Sequence, residues 1–320
     1  MKSKKGSARN ARFTYKGIIP PMALPLGESG ETDFESLRSQ VRFLLHAGAD
    51  GLWVNGSSGD FFALREEEAT EVVSAVSEFV GEKVPVIAQV GDTATRLVIS
   101  RALKALEAGA DAVSVVHPYY VDYSQSELKR HYRRISREIG RPVFVYQIPQ
   151  MTKVSFTVPS LVELAGEGTL LGIKDSAGNL DFYGRLVRAV RREGVGLRCF
   201  YGVSSLVDLS LFMGGHGIMC GIANLVPHLC KEVYVTAMAG EWEKTRQAMS
   251  KILDLIDALV LPGRSNWAPT VAGYKWILKR LGVISSDRVF EPLEPLTEAE
   301  EAYLEKHALP LAEQFCSDRV

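Results

Sequence analysis

Short apolar segments alternate with amphipathic segments along the first 220 residues, and this alternation constrains the fold of the 320-residue chain more than any other feature. Most of the apolar segments are rich in β-branched or aromatic residues, a composition typical of parallel strands that are covered on both faces. They lie near Gly17–Leu24, Gly51–Asn55, Val84–Val90, Ala112–His117, Pro142–Ile148, Leu170–Lys174, Leu197–Gly202 and Gly217–Gly221. The pattern therefore predicts eight parallel strands.

The segments between these strands have helical periodicity and helix-capping signals. Apolar residues recur on one stripe of Asp33–Ala47, and Thr32–Glu35 and Ser124–Glu127 have the spacing of capping boxes. The tetrapeptide AGAD occurs at Ala47–Asp50 and again at Ala108–Asp111, each time between a helix and a strand. Its glycine suits a left-handed helix C-cap. The recurrence indicates that one strand and one helix form the repeating unit.

Eight alternating strands and helices predict parallel pairing with right-handed crossovers. Eight units also close a (β/α)₈ TIM barrel of about 200–250 residues, with α/β class. The competing fold is a doubly wound open sheet, but no GxGxxG motif follows the first strand. Past about residue 240 the strand signal ends, and further helices are predicted. We expect a disordered basic tail over 1–13, a barrel over 14–240 and a C-terminal helical domain over 241–320.

Charge and composition exclude several classes of function. Lys and Arg number 37 against 38 Asp and Glu, so the overall balance shows no sign of the basic face that a nucleic-acid binder needs. Only the opening MKSKKGSARNAR is basic, and no apolar segment follows it, so it is interpreted as a solvated tail and not as a secretory signal. No stretch approaches 18 consecutive apolar residues, which argues against a membrane span.

The cysteines and histidines give no metal or disulfide pattern. Cys199, Cys220, Cys230 and Cys316 form no CxxC pair, and the six histidines have no HxxH or HExxH spacing. We therefore expect buried free thiols in a reducing, cytoplasmic compartment, with no metal and no cofactor.

The reactive side chains of a barrel lie at the carboxyl ends of its strands. Strand six ends in LLGIKDSAGN, and Lys174 is the only lysine at the end of any predicted strand. Loss of hydration disfavours the charged form of a lysine, and a neutral amine can attack a ketone to give an imine. The alternative is a lysine that leaves its strand toward solvent, because most lysines are exposed.

Two further strand ends and one loop supply hydroxyl groups and backbone amides. Strand five ends in PVFVYQIPQ, so Tyr146 lies one strand from Lys174, where a phenol can transfer protons or serve only as a core residue. Tyr119 and Tyr120 follow strand four. Strand two ends in VNGSSGD, which suits a carboxylate or forms an ordinary turn. An amine, phenols and a carboxylate cradle together predict a site for a 2-oxo acid.

On these residues the chain resembles the dihydrodipicolinate synthase / N-acetylneuraminate lyase family of class I aldolases, from about Gly17 to about Leu309. The matching segments are Val54–Leu64 (VNGSSGDFFAL), His117–Tyr120 (HPYY), Tyr146–Pro149 (YQIP), Gly172–Asn179 (GIKDSAGN), Gly214–Asn224 (GGHGIMCGIAN) and Lys275–Gly282. The resemblance implies a TIM barrel with a C-terminal helical domain, in agreement with the strand and helix pattern.

The resemblance also implies roles for individual residues. Lys174 would be the Schiff-base lysine, Tyr146 would donate and accept protons above it, and Ser57 and Tyr120 would complete a proton relay. In related enzymes the tyrosine at the position of Tyr120 reaches in from a neighbouring subunit. The resemblance therefore implies a homo-oligomer, a dimer or more usually a tetramer.

Three more residues would bind the substrate. Ser58 would hold its carboxylate, the backbone at Met219 would close over the pyruvyl group, and Gly202 would lie beside it. Synthases of dihydrodipicolinate carry an arginine where this chain has Met151, and a thioether cannot form the bidentate ion pair of an arginine. Lys153 would substitute only as a point charge.

The departures favour an aldolase or dehydratase that acts on pyruvate or a 2-keto-3-deoxy acid. The alternatives are 4-hydroxy-tetrahydrodipicolinate synthase, which condenses pyruvate with aspartate semialdehyde, and a non-catalytic barrel that only binds a 2-oxo acid. Metal-assisted aldolase chemistry would need a His/Asp/Glu cluster that the sequence does not show. The expected partner is a small-molecule substrate, with no nucleic acid and no membrane.

Overall fold

The computed structural model describes residues 13–264 and 268–317 of the chain. The basic tail predicted for residues 1–13 lies outside the described residues except for its last position. No helix among the residues described is long and apolar enough to cross a membrane.

Eight parallel strands form one closed sheet, which confirms the predicted barrel. The hydrogen-bonded order is β1-β8-β7-β6-β5-β4-β3-β2, and a parallel bridge between Pro21 and Trp53 joins the β1 and β2 ends. The strands are β1 Gly17–Ile18, β2 Leu52–Val54, β3 Val86–Gln89, β4 Ala112–Val116, β5 Val143–Gln147, β6 Leu170–Asp175, β7 Arg198–Tyr201 and β8 Gly217–Ile218.

Helices follow the strands and then continue without strands to the end of the described chain. They are α1 Phe34–His46, α2 Glu66–Val80, α3 Thr95–Glu107, α4 Gln125–Ile139, α5 Pro149–Thr152, α6 Val158–Gly166, α7 Leu180–Glu193, α8 Val207–Phe212, α9 Pro227–Met238, α10 Trp242–Ala258, α11 Ala268–Arg280, α12 Glu298–His307 and α13 Leu309–Ser317. Short 3₁₀ turns lie at Ser57–Gly59, Ser204–Leu206 and Gly221–Asn224.

The capping signals are right at one helix and displaced by one residue at another. Ser124 caps α4 in the predicted box with Glu127. At α1 the predicted cap at Thr32 is wrong, because Asp33 takes the N-cap. Its carboxylate accepts hydrogen bonds from the amides of Glu35 and Ser36 and from the Ser36 hydroxyl, so one side chain satisfies several donors.

Alternating residues of each strand face two different cores. On β5, Val143 and Val145 pack with the surrounding helices, whereas Phe144 and Tyr146 belong to the aromatic cluster inside the barrel. A third cluster of buried hydrophobic side chains includes Ile18 and Ile218 of the barrel and Trp276 of the C-terminal helices, so it joins these two parts of the fold. The inward side chains at the carboxyl ends of the strands therefore meet one another inside the barrel mouth.

The cysteines agree with the sequence-based expectation. All four are free thiols; Cys199, Cys220 and Cys230 are buried, and Cys316 is partly buried.

Candidate active site

Lys174 lies inside the barrel near the carboxyl end of β6, in register with Tyr146 on β5 and Phe200 on β7. Its side chain is buried, and Nζ lies 4.2 Å from the centre of the Tyr146 ring and 4.9 Å from that of Trp53. Within the described chain, no carboxylate forms an ion pair with this amine. The buried amine is therefore surrounded by aromatic faces, and no counterion for it lies among residues 13–264 and 268–317.

Tyr146 connects the lysine to the loop that follows β2. Its hydroxyl lies 3.3 Å from the Ser57 hydroxyl, and its ring packs edge-on against Trp53 with centroids 5.8 Å apart. The edge-on contact fixes the ring, while the hydroxyl remains available for exchange with Ser57. A lysine, a phenol and a serine hydroxyl thus follow one another across the barrel mouth.

The loop after β2 presents backbone amides to this mouth. Asn55 and Asp60 both have left-handed backbone, with φ of 54° and 52°, and they bracket the short turn at Ser57–Gly59. The amides of Ser57 and Ser58 donate no hydrogen bond to any described residue. Consecutive free amides in a turn form a concavity that suits an anion, so the loop can hold a carboxylate.

Gly202 and Met219 lie close to the central residues of the site. A Cβ at Gly202 would lie 3.1 Å from Lys174 Cε and would collide with the Ser176 hydroxyl, so the glycine leaves room for both side chains. Met219 is fully buried, and its amide donates to the Tyr201 carbonyl at 2.9 Å. The Met219 amide is therefore committed to the barrel, and its side chain packs in the aromatic cluster that contains Tyr146.

The two tyrosines after β4 take different positions. Tyr119 is partly buried and lines the same cavity as Ser57, and burial with nearby Asp92 raises the pKa of its phenol. Tyr120 is 95% exposed and has a φ of 84°, a strained value for a bulky residue. Within a single chain Tyr119 lines the cavity and Tyr120 does not, and the prediction that Tyr120 enters the site of a neighbouring subunit stays a prediction.

A cavity of about 190 Å³ opens beside Ser57 at the barrel mouth. Its walls are mostly apolar or aromatic: Phe61, Phe62, Val116, Tyr119, Ile148 and Met151. Thr152 also lines it, but its hydroxyl donates to backbone carbonyls. Met151 is half exposed on α5, at the position where the sequence predicts loss of an arginine contact. Lys153 is exposed and does not line this cavity.

Comparison with known proteins gives these residues their context. The sequence model of the Dihydrodipicolinate synthetase family matches residues 14–309. The chain belongs to this family. Membership confirms the expected activity class, a lyase of the class I aldolase type.

Individual relatives match nearly end to end. A 4-hydroxy-tetrahydrodipicolinate synthase from Polynucleobacter asymbioticus is 29% identical over 92% of this chain and 94% of its own. An uncharacterized DapA-like lyase from Halobacterium salinarum is 32% identical over 90% and 91%. Among solved structures, YagE of the same family, a prophage protein from Escherichia coli K12 in complex with pyruvate, has a TM-score of 0.87 at 26% identity, covering 95% of this chain and 99% of that one.

The sequence analysis missed a second buried lysine that bears on the site. Lys275 on α11 lies 2.9 Å from the Asp60 carboxylate, and both side chains are fully buried. Lys275 also donates to the Arg288 carbonyl at 3.1 Å, while Oδ1 of Asp60 finds no partner among the described residues. Burial raises the pKa of Asp60 and the ammonium opposes that rise. The pair ties the loop after β2 to the C-terminal helices.

At each of the two positions the sequence indicates a buried charge that needs a partner, although it does not identify the partner. Asp60 follows the turn directly and precedes two phenylalanines, and Lys275 lies between Tyr274 and Trp276 in an otherwise apolar helix segment. A charged residue in an apolar segment needs a partner when it is buried. Trp53, which was treated only as part of strand two, also went unassigned although it forms one wall around Lys174.

Proposed function

We propose that Lys174 forms an imine with the ketone of pyruvate or of a 2-keto-3-deoxy acid, and that Tyr146 moves protons during bond cleavage or formation. The observation that carries this proposal is the position of the Lys174 amine, which is buried, lies 4.2 Å from the centre of the Tyr146 ring and has no counterion in the described part of the chain. The pyruvate complex of YagE, a structural neighbour in the same family, supports a 2-oxo acid as the ligand.

The steps follow from the neighbouring groups. The amine attacks the ketone carbon, the Tyr146 phenol gives its proton to the departing hydroxyl so that water leaves, and the product is a protonated imine that accepts electrons from the adjacent carbon. In cleavage, the hydroxyl on the fourth carbon loses its proton to Tyr146, the bond between the third and fourth carbons breaks, and its electron pair becomes an enamine. Protonation of the enamine and hydrolysis of the imine release pyruvate. Condensation reverses these steps.

The remaining site residues hold the substrate in the proposed complex. The amides of Ser57 and Ser58 and the Ser58 hydroxyl bind the carboxylate, because they have no other partner in the described chain. Gly202 leaves room for the substrate beside Lys174, and we assign the backbone at Met219 to the pyruvyl group. Ser57 passes the proton between Tyr146 and the mouth of the barrel, since the two hydroxyls are 3.3 Å apart.

The proposal includes a second copy of the chain, in a dimer or tetramer, and a cytoplasmic location. Tyr120 supports the assembly, because an aromatic side chain that is 95% exposed on strained backbone is suited to burial in a neighbouring subunit. We assign Tyr120 to the proton relay of that neighbour. Tyr120→Ala is expected to weaken the oligomer and lower turnover together; an unchanged oligomer with unchanged turnover contradicts the assignment.

Borohydride trapping tests the imine directly. Incubation with pyruvate and borohydride should add one reduced pyruvyl group to the chain, measured by intact mass, and peptide mapping should place it on Lys174. Lys174→Met should give no adduct, whereas Lys244→Met, which changes an exposed lysine on α10, should give the full adduct. Absence of an adduct in the unmodified protein would reject the proposed function.

The second candidate is 4-hydroxy-tetrahydrodipicolinate synthase, since the relative from Polynucleobacter asymbioticus has that name. Met151 argues against it, because the cavity offers no cation to the carboxylate of aspartate semialdehyde among the described residues. A coupled assay with pyruvate and aspartate semialdehyde distinguishes the two. A non-catalytic 2-oxo acid binding barrel predicts an adduct with pyruvate but no turnover with any aldehyde.

A further inference from the structure

The indole of Trp53 contacts three parts of the site, and the proposed function gives it no role. Nζ of Lys174 lies 4.9 Å from the centre of its ring, and Tyr146 packs against it edge-on at 77° with centroids 5.8 Å apart. A Cβ at Gly56 would lie 3.0 Å from Trp53 Nε1, so the indole also packs against the loop after β2. One side chain therefore touches the proposed nucleophile, the proposed proton carrier and the loop that we assign to the carboxylate.

The backbone of Trp53 is held from both neighbouring strands. Its amide donates to the Pro20 carbonyl at 3.0 Å, and its carbonyl accepts from the Met22 amide at 2.9 Å. On the other side Trp53 is in register with Ile87 of β3, and inside the barrel its ring packs edge-on against Phe144. The ring therefore has a fixed position against which other side chains can rest.

The indole N–H is an unfavourable group to use for filling space alone. Trp53 is fully buried, and its Nε1 has no hydrogen-bond partner in the described part of the chain. A buried N–H without a partner costs free energy, which a phenylalanine at this position would avoid. What an indole adds is width, because its wider ring extends from the Lys174 amine to the loop at Gly56.

We infer that Trp53 is a positioning residue, which holds the Lys174 amine beside the Tyr146 phenol at the distance that proton transfer needs. This inference rests on the proposed function and adds a residue to it. In that function the imine of pyruvate loses a proton from its methyl carbon to Tyr146, and the C–H electron pair forms the double bond of the enamine and neutralises the protonated imine. Small changes in the distance between reacting groups lower such a rate steeply.

Exchange of the methyl protons of pyruvate in heavy water tests the inference, because it needs the imine and the proton transfer but no second substrate. Loss of the methyl signal in proton NMR gives kcat and KM per lysine that borohydride can trap. Trp53→Leu should lower kcat about 10²-fold and change KM much less, because Asp60 and Lys275 still anchor the loop. Trp53→Phe restores an aromatic ring and should recover most of the rate. An unchanged kcat in folded Trp53→Leu would overturn the inference.

Trp276→Leu is the matched control. Trp276 is as deeply buried as Trp53 but packs among the C-terminal helices. The two leucine variants should lose comparable stability in urea, because each removes a buried indole, whereas Trp276→Leu should keep the native kcat for exchange. An equal fall of kcat in both variants would mean that Trp53 acts only through the fold.

Gly56→Ala tests the same contact while the indole is kept, and it remains informative if Trp53→Leu does not fold. The added methyl group would press on Trp53 Nε1 at 3.0 Å, so the ring must shift. The kcat for exchange should then fall about tenfold. A rise in KM with unchanged kcat would mean that the loop binds the carboxylate without any connection to Lys174 through Trp53, and would contradict the inference.

Failure of this inference differs from failure of the proposed function. A native chain that forms the pyruvate adduct and exchanges the methyl protons, with Trp53→Leu as fast as the native chain, rejects the role of Trp53 and keeps the imine chemistry. A native chain that forms no adduct, or forms it without exchange, rejects the proposed function and the inference with it.

Discussion

The protein buries two lysines in opposite electrostatic settings. Lys174 lies in the barrel mouth at 4% exposure between the rings of Tyr146 and Trp53, with no carboxylate partner in the described chain. Lys275 lies at 0% exposure under the C-terminal helices, 2.9 Å from the Asp60 carboxylate. Both lysines are shielded from water, so the difference between them is the counterion.

The comparison separates the nucleophilic role proposed for Lys174 from a structural role for Lys275. The Lys174 amine lies over the faces of aromatic rings beside a phenol, which suits the nucleophile of the proposed function. A buried ammonium beside a carboxylate is retained, because removal of either partner leaves an uncompensated charge. Substitution of the two lysines should therefore affect different properties of the protein.

The largest expected effect follows from substitution of Lys174. Lys174→Met should reduce turnover by roughly 10⁴-fold or more, as expected when a covalent nucleophile is removed. The free energy of unfolding, measured with urea, should stay the same or rise, because no partner is left unpaired. A variant that loses several kcal/mol of stability would show that Lys174 has a hidden counterion and would break the comparison.

Substitution of Tyr146 tests the role in proton transfer that is proposed for the residue beside Lys174. Tyr146→Phe keeps the ring beside Lys174 but removes the hydroxyl that contacts Ser57, so turnover should fall by about 10²–10⁴-fold, the usual contribution of general acid–base catalysis. Steady-state kinetics measures the loss. Tyr303→Phe, which alters a tyrosine on α12, is the control and should be neutral. Unchanged turnover in Tyr146→Phe would remove this residue from the mechanism.

Lys275 tests the structural side. Lys275→Met should destabilise the fold by about 3–5 kcal/mol, the cost of leaving one partner of a buried ion pair alone. The double variant Asp60→Asn, Lys275→Met should recover part of that loss, and asparagine is chosen because it tolerates the left-handed backbone at Asp60, with φ of 52°. Urea unfolding of the four proteins in this double-mutant cycle gives the coupling energy. Additive losses would mean that the two side chains do not interact.

Substitution of Asp175 should have the smallest effect on the free energy of unfolding. It tests whether this carboxylate, which follows Lys174 in the sequence, is the counterion of the lysine. Burial raises the pKa of Asp175 to about 6, whereas an ammonium partner would lower it. Between about pH 4 and 6 the folded state then binds more protons than the unfolded state at this residue, so its contribution to stability is present at low pH and is lost as the pH rises.

Asp175→Asn isolates this contribution. Asparagine can keep the hydrogen bond from the Ala177 amide, at 2.9 Å, and has no charge to bury. The stability of the variant relative to the native chain should increase from pH 4 to pH 7 by up to about 3 kcal/mol. Burial lowers the pKa of His131 to about 4 and opposes this trend, but it acts in both proteins and cancels in the difference. A flat difference would mean that Asp175 is charged and paired.

The sequence predicted the barrel because covered strands are apolar throughout and recur eight times. The sequence predicts the limits of a strand less accurately where prolines leave the backbone without N–H donors. The first strand was predicted over Gly17–Leu24, but only Gly17–Ile18 pairs as a strand, since Pro20 and Pro21 have no N–H group to contribute to the sheet. The predicted N-cap of α1 is Thr32, whereas the observed N-cap is Asp33. Both are residue types that cap helices, and as neighbours they compete for the same backbone amides.

The site was predicted as far as strand ends could locate it. Lys174, Tyr146 and Ser57 meet because the carboxyl ends of neighbouring parallel strands share one rim of the barrel. The Asp60–Lys275 pair joins positions 215 residues apart, and periodicity contains no information on such a tertiary contact. Tyr120 also shows this limit, because the role that we propose for it depends on a second copy of the chain.

The Asp60–Lys275 contact has a consequence for the transfer of activity between barrels. A chimaera that grafts the strand-two loop of this protein onto another barrel would carry Asp60 but leave its lysine behind, and the loop would lose its anchor. The smallest transplantable unit is therefore the loop together with α11, although the two are far apart in the gene.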